Sequence, residues 1–113
     1  MSIARADREL ATELARRRLS LKRLEDVIQL MEHIQRSVRR DDGIWWFTEL
    51  YRRVTIAVDA ACRETFFLHP AWMRELVISF ADLYFEALQN WLEGRRAACP
   101  PAWRVLFAKR FHV

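Results

Sequence analysis

Glycine and proline are scarce in this 113-residue chain, at two and three residues. So few breakers leave little room for turns and point to long helices. Cysteine is scarce as well. Cys62 and Cys99 have no metal-ligand spacing, and two such thiols read as buried or incidental groups in a reducing cytoplasm. Long apolar runs are missing because charges recur throughout, so no membrane span is expected. The opening Met1-Ser2-Ile3-Ala4-Arg5-Ala6-Asp7 meets charge at once and has no apolar h-region, so no signal peptide is expected either. No two of the three histidines, His33, His69 and His112, share a ligand spacing. Zinc and iron are therefore not expected, nor is any other cofactor.

What is present describes an all-α protein. An apolar content of 52%, with 12% aromatic residues, argues against disorder. The length suits a single small domain with its own core. The apolar stretch Ala71 to Glu93 is expected to form the central helix. Met73, Leu76, Val77, Phe80, Leu83, Tyr84, Ala87 and Trp91 centre its apolar face, and Ile78, Ala81, Phe85, Leu88 and Leu92 widen it past half the circumference. Such a helix needs neighbours on several sides. Its remaining stripe is acidic: Glu75, Asp82, Glu86 and Glu93.

Residues 1 to 40 hold ten Lys or Arg against six Asp or Glu, so the whole net charge of +4 lies there. This segment also has heptad spacing, with Ile3, Leu10, Leu14, Leu21, Leu24, Ile28, Met31 and Val38 in the seam. Two readings compete. In one, Ser20 caps a second helix and residues 2 to 18 form a separate short one. In the other, a single helix of about 38 residues runs roughly 57 Å and overhangs a domain about 35 Å across. An overhanging leucine seam would need a partner, which makes Leu10, Leu14 and Leu21 interface candidates in a homo-oligomer. The expected division is an N-terminal helical arm over 1–19 and a helical bundle domain over 20–113.

Gly43 should serve the exit of this segment, with an Asp of Asp41-Asp42 bonding the next helix's free amides. That helix should run from Ile44 to about Cys62, with Glu49 paired to Arg53 at i,i+4. The link Thr65-Phe66-Phe67-Leu68-His69-Pro70 is expected to fold its aromatic pair under the bundle. Gly94 ends the central helix, and Pro100-Pro101 introduces a short last helix from Ala102 to about Arg110.

Three segments carry a resemblance: Asp42 to Thr55 (DGIWWFTELYRRVT), Pro70 to Leu88 (PAWMRELVISFADLYFEAL) and Pro101 to Phe107 (PAWRVLF). They resemble an uncharacterised bacterial family of helical domains over about Ser20 to Phe107. The resemblance implies an all-helical fold and no known activity. It also implies that members continue into a segment containing His and Asp. This chain ends at Val113, so a site using that segment is expected to be missing, and residues 1–19 look like an addition.

No motif specifies a reaction. Asp82 and Glu86, at i,i+4, have a spacing that serves metal or acid–base chemistry. No Glu-x-x-His element accompanies them, and a solvated stripe or one docked on the basic arm is the simpler reading. Thr48, Arg52, Thr55 and Asp59 line one helix edge, where Arg52 is a candidate anion site against the plainer alternative of a solvated edge. Five tryptophans, Trp45, Trp46, Trp72, Trp91 and Trp103, lie near helix ends, where they either close the core or frame a cavity. The candidate ligand-binding residues are Tyr51, Arg52, Thr55, Tyr84, Trp91 and Trp103. The arginine-rich stretch Arg16-Arg17-Arg18 with Lys22 and Arg23 has phosphate-binding chemistry, but interspersed acids and the absence of a recognition motif argue against nucleic acid. The preferred function is a cytoplasmic, self-associating binding or accessory module. The alternative is an enzyme or carrier holding a small apolar ligand in an aromatic-lined pocket.

Overall fold

A computed structural model describes residues 2–112. It has five α-helices: α1 Ile3–Arg17, α2 Leu24–Ser37, α3 Gly43–Arg63, α4 Pro70–Leu92 and α5 Pro101–Ala108. Short 3-10 turns at Arg18–Ser20 and Arg96–Ala98 join α1 to α2 and α4 to α5. No strand occurs among the described residues. The molecule measures 44 × 26 × 26 Å, and α4 touches every other helix, as its broad apolar surface requires.

Residues 2–40 hold two helices, α1 and α2. The chain turns extended at Leu21 and again at Arg23, and the Asp26 carboxylate accepts the backbone N–H groups of both Lys22 and Arg23 at 3.0 and 2.9 Å. That carboxylate, not the Ser20 hydroxyl, closes the start of α2. The long overhanging helix is therefore not formed, and the leucine seam is spent inside the molecule. Leu10 and Leu14 are buried in one core with Val27, Leu30, Met31 and Ile34 of α2 and with Ala81, Tyr84, Phe85 and Leu88 of α4. Leu21 packs against the same core. The surface expected to meet a second copy is covered by α2 and α4 of its own chain.

The remaining boundaries follow local chemistry. Asp42 caps α3 by accepting the Ile44 N–H at 2.9 Å. Gly43 lies inside α3 and not at a helix exit: its amide donates to the Arg110 carbonyl, and a Cβ there would come within 3.3 Å of the Arg110 backbone. Close approach, not left-handed geometry, is what calls for glycine at this position. Gly94 does adopt a positive φ of 83°. Its N–H bonds the Trp91 carbonyl and that of Arg95 bonds Asn90, the paired bonds that close a helix end at glycine.

Two clasps hold the ends of α1. At one, the buried Arg110 guanidinium donates to Asp42 (2.6 Å) and to Asp7 (2.9 Å), tying the C-terminal turn to α1 and to the start of α3. At the other, Arg18 donates to Asp82 (2.7 Å), Glu86 (3.1 Å) and Gln89 (2.9 Å) on α4. The middle of the acidic stripe of α4, Asp82 and Glu86, thus docks on Arg18 of the basic segment.

Candidate functional site

The aromatic candidates converge on one ring. The Tyr84 hydroxyl, fully buried, shares a hydrogen bond of 2.8 Å with Thr48 of α3. Around it stand Phe47 at 5.0 Å, Tyr51 and Trp103 at 6.1 Å and Phe107 at 6.2 Å between ring centroids. These separations are those of packed aromatic pairs, so the rings themselves occupy the space a ligand would need. Burial pushes the Tyr84 hydroxyl well above its ordinary pKa and raises that of Tyr51 too, which keeps both neutral. Trp91 packs on Phe107 at 5.8 Å and carries the Arg96 guanidinium 4.3 Å above its face.

The polar candidates separate from this cluster. Arg52 is engaged by Glu49 of its own helix (2.9 Å) and by Glu32 of α2 (3.6 Å), so the anion its guanidinium suits is already supplied by the chain. Thr55 is buried and donates to the Tyr51 carbonyl at 2.8 Å. Asp59 takes Arg63 as partner at 2.6 Å. Glu49 receives Arg52, Gln35 and Arg53, and these bonds hold its carboxyl at about 2. The arginine-rich stretch is answered in the same way: Arg16 and Arg17 bond Glu13, and Arg18 bonds α4.

The structure also places His33, the aromatic pair and the tryptophans. His33 is half-buried between α1 and α2, where burial first and the nearby Arg17 next lower its pKa. Phe66 does not fold under the bundle but stands exposed against Phe67, with ring centroids 5.2 Å apart. No tryptophan is fully buried; Trp46 and Trp72 are largely exposed and the other three half-covered.

The surface that stands out is the outer face of the α3–α4 hairpin. Leu50, Val54, Trp72, Phe80 and Leu83 keep 49–62% of their surface exposed. On α3, Leu50, Val54, Ala57 and Ala61 recur at steps of four, three and four, which places them on one stripe at 3.6 residues per turn. Trp72, Leu76, Ser79 and Leu83 repeat the same steps on α4, with Phe80 beside them on the side toward α3. Thr48 meets Tyr84, and Cys62 donates to the Pro70 carbonyl at 3.7 Å, so the antiparallel helices keep one register along their length. Leu50 is therefore level with Asp82, next to Leu83, Val54 with Ile78, and Ala61 with Ala71, next to Trp72. The opposite side of α3 is taken by α2, through Gln35 to Glu49 and Glu32 to Arg52. α1 flanks α4 through Arg18. Trp103 and Phe107 of α5 pack against the hairpin at Tyr84, while Val54, Trp72 and Phe80 farther along it stay about half exposed.

The other depressions are open surface clefts, one of them an apolar hollow at the hairpin tip lined by Leu68, His69, Pro70, Ala71 and Trp72. Among the described residues no helix is long and apolar enough to cross a membrane, and no three metal-ligating side chains cluster. No curated protein and no solved structure matches the chain. Residues 24–112, from the start of α2 through α5, match the model of a family of unknown function (DUF5995), and the chain belongs to that family.

Proposed function

We propose that the protein is a self-associating helical binding module, and that the outer face of the α3–α4 hairpin, in place of the N-terminal leucine seam, is the surface it uses. One observation carries the reading: large apolar side chains lie exposed at helical spacing on two adjacent helices while the rest of the core is closed. Scattered exposed apolar residues are ordinary, but a contiguous patch marks an interaction surface. The alternative, a carrier or enzyme with an aromatic-lined pocket, has less support because the rings around Tyr84 already fill one another's space.

Sedimentation equilibrium of the full chain over a micromolar range tests this reading. The expected mass rises with concentration from 13.6 kDa toward twice that value, and the paired substitution Phe80→Glu, Leu83→Glu holds it at the lower one. A wild-type chain that stays at the single-chain mass throughout would overturn the proposal.

A further inference from the structure

We infer that the end of the bundle closed by the Arg110 clasp is a docking surface for an extended acidic segment of a partner protein. It is a second surface, separate from the hairpin face proposed for self-association, and neither needs the other.

The fold gathers charge at this end that the order of the chain does not. Residues 2–9 at the start of α1, 36–43 between α2 and α3, and 93–112 beyond α4 meet there, because Asp7 and Asp42 share Arg110 and the Gly43 amide donates to the Arg110 carbonyl. These segments hold ten Lys or Arg against five Asp or Glu, while the rest of the chain holds nine against ten. All five acids are already engaged: Glu9 by Arg5, Asp41 by Arg39, Glu93 by Arg95, and Asp7 and Asp42 by Arg110. Among the described residues that leaves Arg8, Arg36, Arg40, Arg96, Arg104 and Lys109 without an acidic partner. The molecule is 44 Å long, several times the Debye length of about 8 Å at physiological salt, so acids at the far end do not offset them.

The relief of this end suits a chain. Arg8 and Arg95 line one open cleft, Arg96, Arg110 and Phe111 line another, and both include Asp7, Leu92 and Gly94, where they join. Gly94 keeps the junction clear, since no atom lies within 4 Å of where its Cβ would stand. The molecule is 26 Å wide, which spans about eight residues of extended chain at roughly 3.3 Å each. The chemistry selects carboxylates. All the unpartnered bases but Lys109 are guanidinium groups, which grip a carboxylate through two parallel bonds. The indole faces on which a nucleic-acid base would stack are already taken, by Arg40 at 4.1 Å from Trp45 and by Arg96 at 4.3 Å from Trp91. A nucleic-acid strand also carries a charge at every phosphate and would pass Asp7 and Glu93. A peptide can set its acids beside Arg8 and Arg96 and small residues beside those two carboxylates.

Fluorescence anisotropy with a labelled peptide of alternating Glu and Ala tests the inference. A peptide of about ten residues should bind with a Kd of roughly 100 μM or tighter at about 50 mM salt and about ten-fold more weakly at about 200 mM, and its Gln-for-Glu counterpart should not bind. Arg8 and Arg96 are exposed, so Arg8→Glu and Arg96→Glu keep the fold, which a melting curve checks. Each should weaken binding about ten-fold, whereas Lys22→Glu, the same change of net charge at the opposite end, should leave it within about two-fold. The Phe80→Glu, Leu83→Glu chain should bind as wild type does, which separates this surface from the hairpin face. Equal weakening by Lys22→Glu would reduce the effect to net charge and overturn the site. The absence of binding up to about 1 mM peptide would overturn it too. Tighter binding of a thymidine decamer, or of phosphatidylcholine vesicles with about 30% phosphatidylserine, would overturn the acidic segment as partner and reassign the surface to nucleic acid or to a membrane.

Discussion

Tyr84 and Thr48 show what single side chains contribute. Removing the phenol by Tyr84→Phe leaves a buried Thr48 hydroxyl without its partner and should cost about 1–3 kcal/mol in denaturant unfolding. Thr48→Val combined with Tyr84→Phe should cost less than the two single changes summed, because the orphaned group is then gone. Glu49 makes a pH prediction. Its folded carboxyl titrates at about 2 against an ordinary 4.5. A depressed carboxylate adds stability that is fully present above the unfolded value and is lost as pH falls from about 4.5 to about 2. Glu49→Gln should therefore flatten acid unfolding across that window, at a cost near neutral pH of about 1 kcal/mol, since its partners reach into solvent. At this scale the sequence was only partly legible. The pairing of Glu49 with Arg53 follows from a four-residue step, whereas the Arg110 clasp with Asp42 and Asp7 spans 68 and 103 positions, and no local pattern announces it.

Helix boundaries were the most legible feature, because their signals are local. Pro70, Gly94 and Pro101 each act where their conformational preferences place them. The break between α1 and α2 was ambiguous for a physical reason: its cap is an arginine whose amide is held by Asp26 three residues on, so the usual Ser or Thr signal is lacking. Heptad spacing was equally unhelpful, since an a/d seam packs as well on a helix of its own chain as on that of a second copy. α1 lies outside the family match yet supplies Leu10 and Leu14 to the common core. Deleting residues 1–19 should therefore not yield a compact monomer. It should uncover Phe85 and Leu88 and lower the unfolding midpoint sharply, and Leu14→Ala alone should cost about 2–5 kcal/mol, as measured by urea titration. An unchanged melting curve after the deletion would contradict this packing.

For the whole molecule, the sequence pointed to four or five helices' worth of apolar surface but not to how it would be shared. α4 is apolar on so many sides that the pattern alone centred its face on Met73, Leu76, Val77, Phe80, Leu83, Tyr84, Ala87 and Trp91. The fold buries Tyr84 and Ala87 of these but turns the centre toward Ala81, Phe85 and Leu88 and leaves Phe80 and Leu83 outside. That rotation depends on which helices arrive from a distance: α1 and α2 cover one side, while α5 is too short, at eight residues, to cover all of the other. The uncovered remainder is where the proposed role resides. It is tested most directly by hydroxyl-radical footprinting of the wild-type chain at concentrations far below and far above its dimerisation midpoint. The account predicts that Trp72 and Phe80 lose reactivity as concentration rises, while the equally exposed Trp46 and Phe111 do not. Reactivity at Trp72 and Phe80 that is unchanged across the range, or protection that appears instead at Trp46 and Phe111, would contradict it.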